Sequence, residues 1–179
     1  PLLIDPGVGE YTSATFSAKR YEIWTMQSAY HNLPQINGFD QHEGANYHAT
    51  KVQYEPFSLA MDIASAYPKE AKVKTWNRSL SLKRGDFIEI NEHYQLDKWM
   101  QPQRIMLLTP VQPVMLRRGV LQLGENQLLY PHQQVIVKIE DISNKMDSLL
   151  HKVWGNNLYR IVMTIDSKQL INNIKYTLK

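Results

Sequence analysis

Ser79-Leu80-Ser81-Leu82-Lys83-Arg84-Gly85-Asp86-Phe87-Ile88-Glu89-Ile90 decides the fold class. Polar and apolar residues alternate on both sides of Lys83-Arg84-Gly85-Asp86. A helix would place its apolar residues three and four apart, whereas period two belongs to a strand. Gly85 can take positive φ at no steric cost, so the stretch reads as a β-hairpin. The same logic extends outward. Leu59, Met61 and Ile63 fall at period two in Ser58–Ile63. Val114-Met115-Leu116 and Val120-Leu121-Gln122-Leu123 flank Arg117-Arg118-Gly119 as a second hairpin. Val135, Val137 and Ile139 share a face, and so do Tyr159, Ile161, Met163 and Ile165 in what reads as the long final strand. Helical signals are confined to a short turn over Asp147–Val153 and a cap or turn at Asp166–Leu170. Many short strands, with neither repeats nor a Gly/Ser linker, predict an all-β fold: an antiparallel two-sheet β-sandwich occupying 1–179 as one domain.

Composition narrows the function classes. The 179 residues are 43% hydrophobic and 21% charged, which are globular values. There is no cysteine, which excludes disulfides, thiolate zinc sites and a cysteine nucleophile. No run approaches the ~20 apolar residues of a membrane-spanning helix. Net charge is +3, with the acidic excess in residues 1–60 and the basic excess after them. No Lys/Arg block is dense enough to form a nucleic-acid stripe, so no nucleic-acid partner is expected. The opening Pro1-Leu2-Leu3-Ile4-Asp5-Pro6-Gly7 reads as the tail of a strand that begins upstream, so the chain is expected to be a piece of a longer protein.

Residues 5–48 hold the densest cluster of polar, aromatic and glycine residues. Asp5 follows three apolar residues, and a carboxylate at the edge of a core needs a partner. His31, between Tyr30 and Asn32, has a similar setting. An imidazole nitrogen and a carboxylate oxygen both suit zinc, but a zinc site takes three or four ligands. On the residues alone a hydrogen-bonded Asp–His pair, or two unrelated groups, is favoured. Tyr11 and Tyr21 could act as general acid or base, although most tyrosines pack a ring and hydrogen-bond its tip. His42, His48, His93, His132 and His151 have no metal-ligand spacing and read as surface or satisfied histidines. Trp24, Trp76, Trp99 and Trp154 are scattered, which favours core packing over a sugar-stacking platform. There is neither a nucleophile elbow nor an HExxH motif.

Five motifs stand in order along the first half of the chain: Leu3-Ile4-Asp5-Pro6-Gly7 with Tyr11, Ile23-Trp24-Thr25, Tyr30-His31-Asn32 with Asn37-Gly38, Ala66-Tyr67-Pro68 and Trp76-Asn77-Arg78-Ser79-Leu80. Together they resemble the C-terminal domain of the heparinase II/III family of polysaccharide lyases, which includes related alginate lyases. The second half of the chain fits by its strand pattern. The resemblance implies a β-sandwich that follows an N-terminal α/α toroid in the same chain, with an acidic, uronate-containing polysaccharide bound between them. It implies β-elimination, in which the C5 proton is removed and the C4–O bond breaks. It implies a zinc ion held by Asp5, His31 and a third ligand on an upstream strand. Tyr11 is the first candidate for the catalytic tyrosine and Tyr21 the second. Arg20, Asn32 and Gln41 are the candidate contacts to the anionic sugar. The intact enzyme would be periplasmic or secreted, and the piece alone inactive. A non-catalytic glycan-binding module, or a structural sandwich packed on a toroid, is the alternative.

Overall fold

The computed structural model describes residues 1–179. Twelve strands form two antiparallel sheets. They are β1 (Pro34–Gln35), β2 (Thr50–Glu55), β3 (Ser58–Asp62), β4 (Val73–Lys83), β5 (Phe87–Leu96) and β6 (Gln103–Thr109). Then come β7 (Pro113–Arg117), β8 (Val120–Leu123), β9 (Asn126–Leu129), β10 (Ile136–Asp141), β11 (Tyr159–Ile165) and β12 (Ile171–Leu178). The single α-helix, α1 (Ser148–Trp154), lies between β10 and β11. The small sheet runs β1-β6-β11-β10 and the large one β2-β3-β4-β5-β12-β9-β8-β7. No helix is long and apolar enough to cross a membrane.

Both anticipated hairpins are present. β4 and β5 pair from Lys83↔Phe87 outward, closed by Asp86 N–H donating to the Lys83 carbonyl with Gly85 at φ +74°. β7 and β8 turn at Gly119, and α1 forms where the short helical turn is expected. Three readings change. Asp166–Leu170, expected to cap a helix or to turn, caps no helix and is coil with a bend at Leu170. Residues 1–7 form no strand; Ile4 makes one backbone bond to Leu108 beside β6. The final strand is β12 rather than β11, and it sits at the middle of the large sheet between β5 and β9. Its inward set is Asn172, Ile174, Tyr176 and Leu178, which alternates as a half-buried strand requires.

The core lies between the sheets. Ile105 and Leu107 of β6, with Ile161, Met163 and Ile165 of β11, face Trp76, Tyr94, Ile174 and Tyr176 of the large sheet. The Trp76 and Tyr94 rings stack 4.7 Å apart. Trp76 is fully buried, and the indole N–H groups of Trp24 and Trp154 donate to backbone carbonyls, so these tryptophans serve packing. Alternate residues of the small sheet point the other way. At one end of that outer face, Leu108 joins Ile4, Ile142, Met146, Leu150 and Leu158 in a second cluster, roofed by the N-terminal coil and α1. The other end of the same face is left open.

An ion pair between neighbouring strands β4 and β5 lies in the main core. Glu92 is fully buried and accepts from Trp76 Nε1 at 2.7 Å, Arg78 Nε at 2.8 Å and the Tyr176 hydroxyl at 3.1 Å. Burial and the neighbouring carboxylate keep the Tyr176 phenol protonated well above its ordinary range. Arg78 Nη1 continues past the pair and donates to the Asn32 carbonyl at 2.6 Å. The core is thereby tied to the segment that carries the candidate site.

Candidate functional site

The site is built on residues 12–32, a chain of four short 3-10 turns at Ser13–Phe16, Ala18–Glu22, Trp24–Met26 and Ser28–Tyr30. Each turn closes with an i→i+3 bond and is separated from the next by a single extended residue: Ser17, Ile23 or Gln27. Short side chains supply the local bonds that stop a longer helix from forming. Ser17 Oγ accepts from Lys19 N–H at 3.1 Å and donates to the Ala14 carbonyl at 3.0 Å. Buried Thr25 donates to the Val8 carbonyl at 3.1 Å, fastening the coil to the opening segment. Gly9 packs so closely on Asp147 that a Cβ there would collide with its carboxylate. That carboxylate accepts from Glu10 N–H with one oxygen and caps α1 through Leu150 N–H with the other.

These constraints bring Asp5 and His31 together. His31 Nδ1 lies 2.9 Å from Asp5 Oδ2. Asp5 Oδ1 accepts from Gly7 N–H at 3.0 Å, and Gly7 has a φ of +79°. The other ring nitrogen, Nε2, is 3.0 Å from the Thr25 carbonyl. A carbonyl only accepts, so Nε2 carries a proton. Nδ1 is then the ring nitrogen that meets the Asp5 carboxylate. No group of three or more potential ligands occurs in the chain, so Asp5 and His31 stand as a pair. Their donor types suit zinc, and a backbone carbonyl that fixes the tautomer is the usual support of a zinc-binding imidazole.

His31 opens onto a cleft of about 490 Å³. Tyr21, Ser28 and Gln41 line it, together with Asp40, His42 and Glu43. Ser28 Oγ accepts from Gln41 N–H at 2.9 Å, which fixes the far wall against the last turn. Of the two candidate tyrosines, Tyr21 lines the cleft and is 46% exposed. Tyr11 does not line it. It is 68% exposed and stacks on Phe16, itself 80% exposed, at 5.7 Å. Arg20 is exposed on the same turn as Tyr21, outside the cleft lining.

Asn32 is placed differently from the expectation of a sugar contact. Its Nδ2 donates to the Ile4 carbonyl at 3.0 Å, and its Oδ1 accepts from Leu108 N–H at 2.8 Å. The amide is spent joining the opening segment to β6, and its effect on the cleft is to hold His31 in place. His42 is the residue the sequence reading overlooks: far from Asp5 in any ligand spacing, it reaches the cleft because its backbone N–H donates to the Ala66 carbonyl. Tyr67, nearby in sequence, is not a candidate base. It is buried, donates to the Pro34 carbonyl, and burial raises its pKa far above the ordinary phenol range.

No protein-family model matches the sequence. No curated protein matches it either. Solved structures do. A heparinase III gene product matches over 99% of this chain with a TM-score of 0.65 at 13% identity. A heparan sulfate lyase mutant from Pedobacter heparinus matches over 98% with a TM-score of 0.61 at 11% identity. Another heparinase III matches over 98% with a TM-score of 0.60 at 12% identity. The chain spans 27% of the first of these chains and 28% of the second. At such identities the likeness is one of architecture: over nearly all of its length this chain shares the β-sandwich fold of these heparinase structures.

Proposed function

We propose that the chain is the sandwich part of a polysaccharide lyase that cleaves a uronate-containing acidic polysaccharide by β-elimination. One observation carries the reading: on a heparinase-like sandwich, Tyr21, His31 and Gln41 converge on a single cleft. Elimination asks for a base at the C5–H of the uronate and an acid at the oxygen on C4. The C5 proton goes to the base, a C4–C5 double bond forms, the C4–O bond breaks, and the leaving oxygen takes a proton. The Tyr21 phenol is the group of this chain suited to one of those transfers, and Gln41 is suited to hydrogen-bond the sugar. Tyr11, outside the cleft, is the lesser candidate. The uronate carboxylate must also be neutralised for C5–H to become acidic. An N-terminal α/α toroid of the same protein would supply the remaining groups, and the sandwich alone would be inactive. Export to the periplasm or beyond belongs to this reading, because such polymers lie outside the cell.

Asp5 and His31 would hold a zinc ion together with a ligand from outside these residues. When bound, zinc would supply a cross-link between the Asp5–Gly7 turn and the 3-10 coil. The protein's own groups already prepare that cross-link: Thr25 orients the ring and Gly7 orients the carboxylate.

The test is the release of unsaturated product from heparan sulfate by the intact protein, followed by ultraviolet absorbance. Tyr21→Phe should lower turnover by roughly 10²- to 10⁴-fold, the usual worth of a positioned acid or base, with the melting temperature unchanged. Tyr11→Phe should stay near the native rate. A Tyr21→Phe enzyme that turns over at the native rate refutes the role, and an intact protein that releases no unsaturated sugar from any uronate polymer refutes the function.

A further inference from the structure

The cleft contains an electrostatic contradiction. Its lining includes Asp40 and Glu43 and has neither lysine nor arginine. For this chain to hold a polyanion there, cations outside the lining must offset those carboxylates. They occur on the open end of the small sheet's outer face. Register places Arg104 of β6 opposite Thr164 of β11, and Lys138 of β10 opposite Val162 of β11. With Arg160 and Glu140 these residues line a groove of about 330 Å³ floored by Met106 and Val162.

The groove is a built feature. Arg160 is largely buried, donates to Glu140 Oε2 at 2.9 and 2.7 Å, and stacks on the Tyr30 ring at 4.5 Å. Its Nη1 donates to the Ala29 carbonyl at 3.0 Å. The turn Ser28–Tyr30 therefore walls both the cleft, through Ser28, and the groove, through Ala29. Arg104 is exposed and bonds only to the neutral Gln35 side chain, at 3.2 Å. Lys138 is exposed and shares Glu140 with Arg160. Three cations against one carboxylate leave two positive charges. From strand spacing, Arg104 and Lys138 are rooted roughly 12 Å apart, so the charges extend along the groove and are not focused at one point.

We infer that this groove is a remote subsite for an acidic polysaccharide, with Arg104 and Lys138 holding anionic groups of sugars distant from the bond that breaks. The inference rests on the proposed lyase function for its polymer, but not for its test. Thr164 and Gln35 add neutral hydrogen-bonding groups to the same strip, as sugar hydroxyls require.

The experiment is calorimetric binding of heparan sulfate oligosaccharides to the intact protein, native and Arg104→Ser/Lys138→Ser. Both side chains are exposed, so the melting temperature should hold. Affinity for a long oligosaccharide should fall about tenfold, consistent with the loss of two exposed charge contacts. The salt dependence of binding should become shallower, and affinity for a tetrasaccharide that fills only the cleft should stay within about twofold. Unchanged binding of the long oligosaccharide, an equal loss for the tetrasaccharide, or no binding to the native protein overturns the subsite. Equal competition by single-stranded DNA overturns its assignment to sugars. Should cleavage be absent while the length-dependent loss persists, the subsite stands and the lyase reading falls.

Discussion

Replacing Arg78 by methionine tests the link between the core and the site. The substitution removes the Nε donor to Glu92 and the Nη1 donor to the Asn32 carbonyl, at similar side-chain length. Glu92 would keep only Trp76 and Tyr176 as donors in a position without solvent. Breaking a buried pair from one side costs about 3–5 kcal/mol, because the orphaned charge must be desolvated or neutralised. A domain of this kind has roughly 5–15 kcal/mol in all, so a large fraction of stability would go. At about 2–4 °C per kcal/mol, the melting temperature should drop by roughly 6–20 °C. Urea unfolding of native, Arg78→Met, Glu92→Leu and the double variant separates the pair from its surroundings. The double variant should be markedly more stable than the sum of the two losses predicts, since it leaves no unpaired charge. A loss below about 1 kcal/mol for Arg78→Met, or strict additivity in the double variant, would refute the reasoning.

Three further outcomes are expected. Asn32→Ala should cost roughly 2–4 kcal/mol in urea unfolding, since it strands the Leu108 N–H and the Ile4 carbonyl; a loss under about 0.5 kcal/mol would mean that the clip is idle. The Asp62 carboxyl is pushed up by burial, but bonds from Trp76 N–H, Ala64 N–H and Lys51 outweigh this and hold it below its usual value of 3.8. The ionised form is thus favoured in the folded protein. Its stabilisation is present above pH 3.8 and is lost as pH falls through the lower folded value, so Asp62→Asn should flatten the acid arm of a melting-temperature profile; an unaltered acid arm would refute this. Zinc content of the intact protein should fall, and melting come earlier, in both Asp5→Ala and His31→Ala; zinc that survives both changes would return the two residues to an ordinary hydrogen-bonded pair.

The β4–β5 hairpin is legible because both strands have one face against the core, and Gly85 marks the turn. β6 carries no such signal. Met106 and Leu108 on its outer face are buried as well as Ile105 and Leu107 on its inner face, so Gln103–Thr109 shows a continuous run and no alternation. β12 opens its inward set with a polar residue, Asn172, which masks a regular period. Neither is the N-terminal coil readable from periodicity, because successive 3-10 turns have no common face. Asp5 and His31 can be paired through the family resemblance, although 26 residues separate them. His42 cannot, since its approach depends on backbone bonds at Gln41 and His42 to Ser28 and Ala66. Polar core residues such as Glu92 look like surface ones in sequence, and only the cross-strand register with Arg78 reveals their partner.

Asp147 has one carboxylate and two clients. One oxygen holds the first turn of α1 and the other holds Glu10, 137 residues earlier in the chain. Ser148 and Trp154 of α1 add bonds to the Glu10 carboxylate and the Pro6 carbonyl, so the opening segment and the helix should open together. Hydrogen exchange would then report them as one cooperative unit, distinct from the sheets beneath. The cleft's rigidity is in that sense borrowed from a seven-residue helix that contributes no residue to its lining.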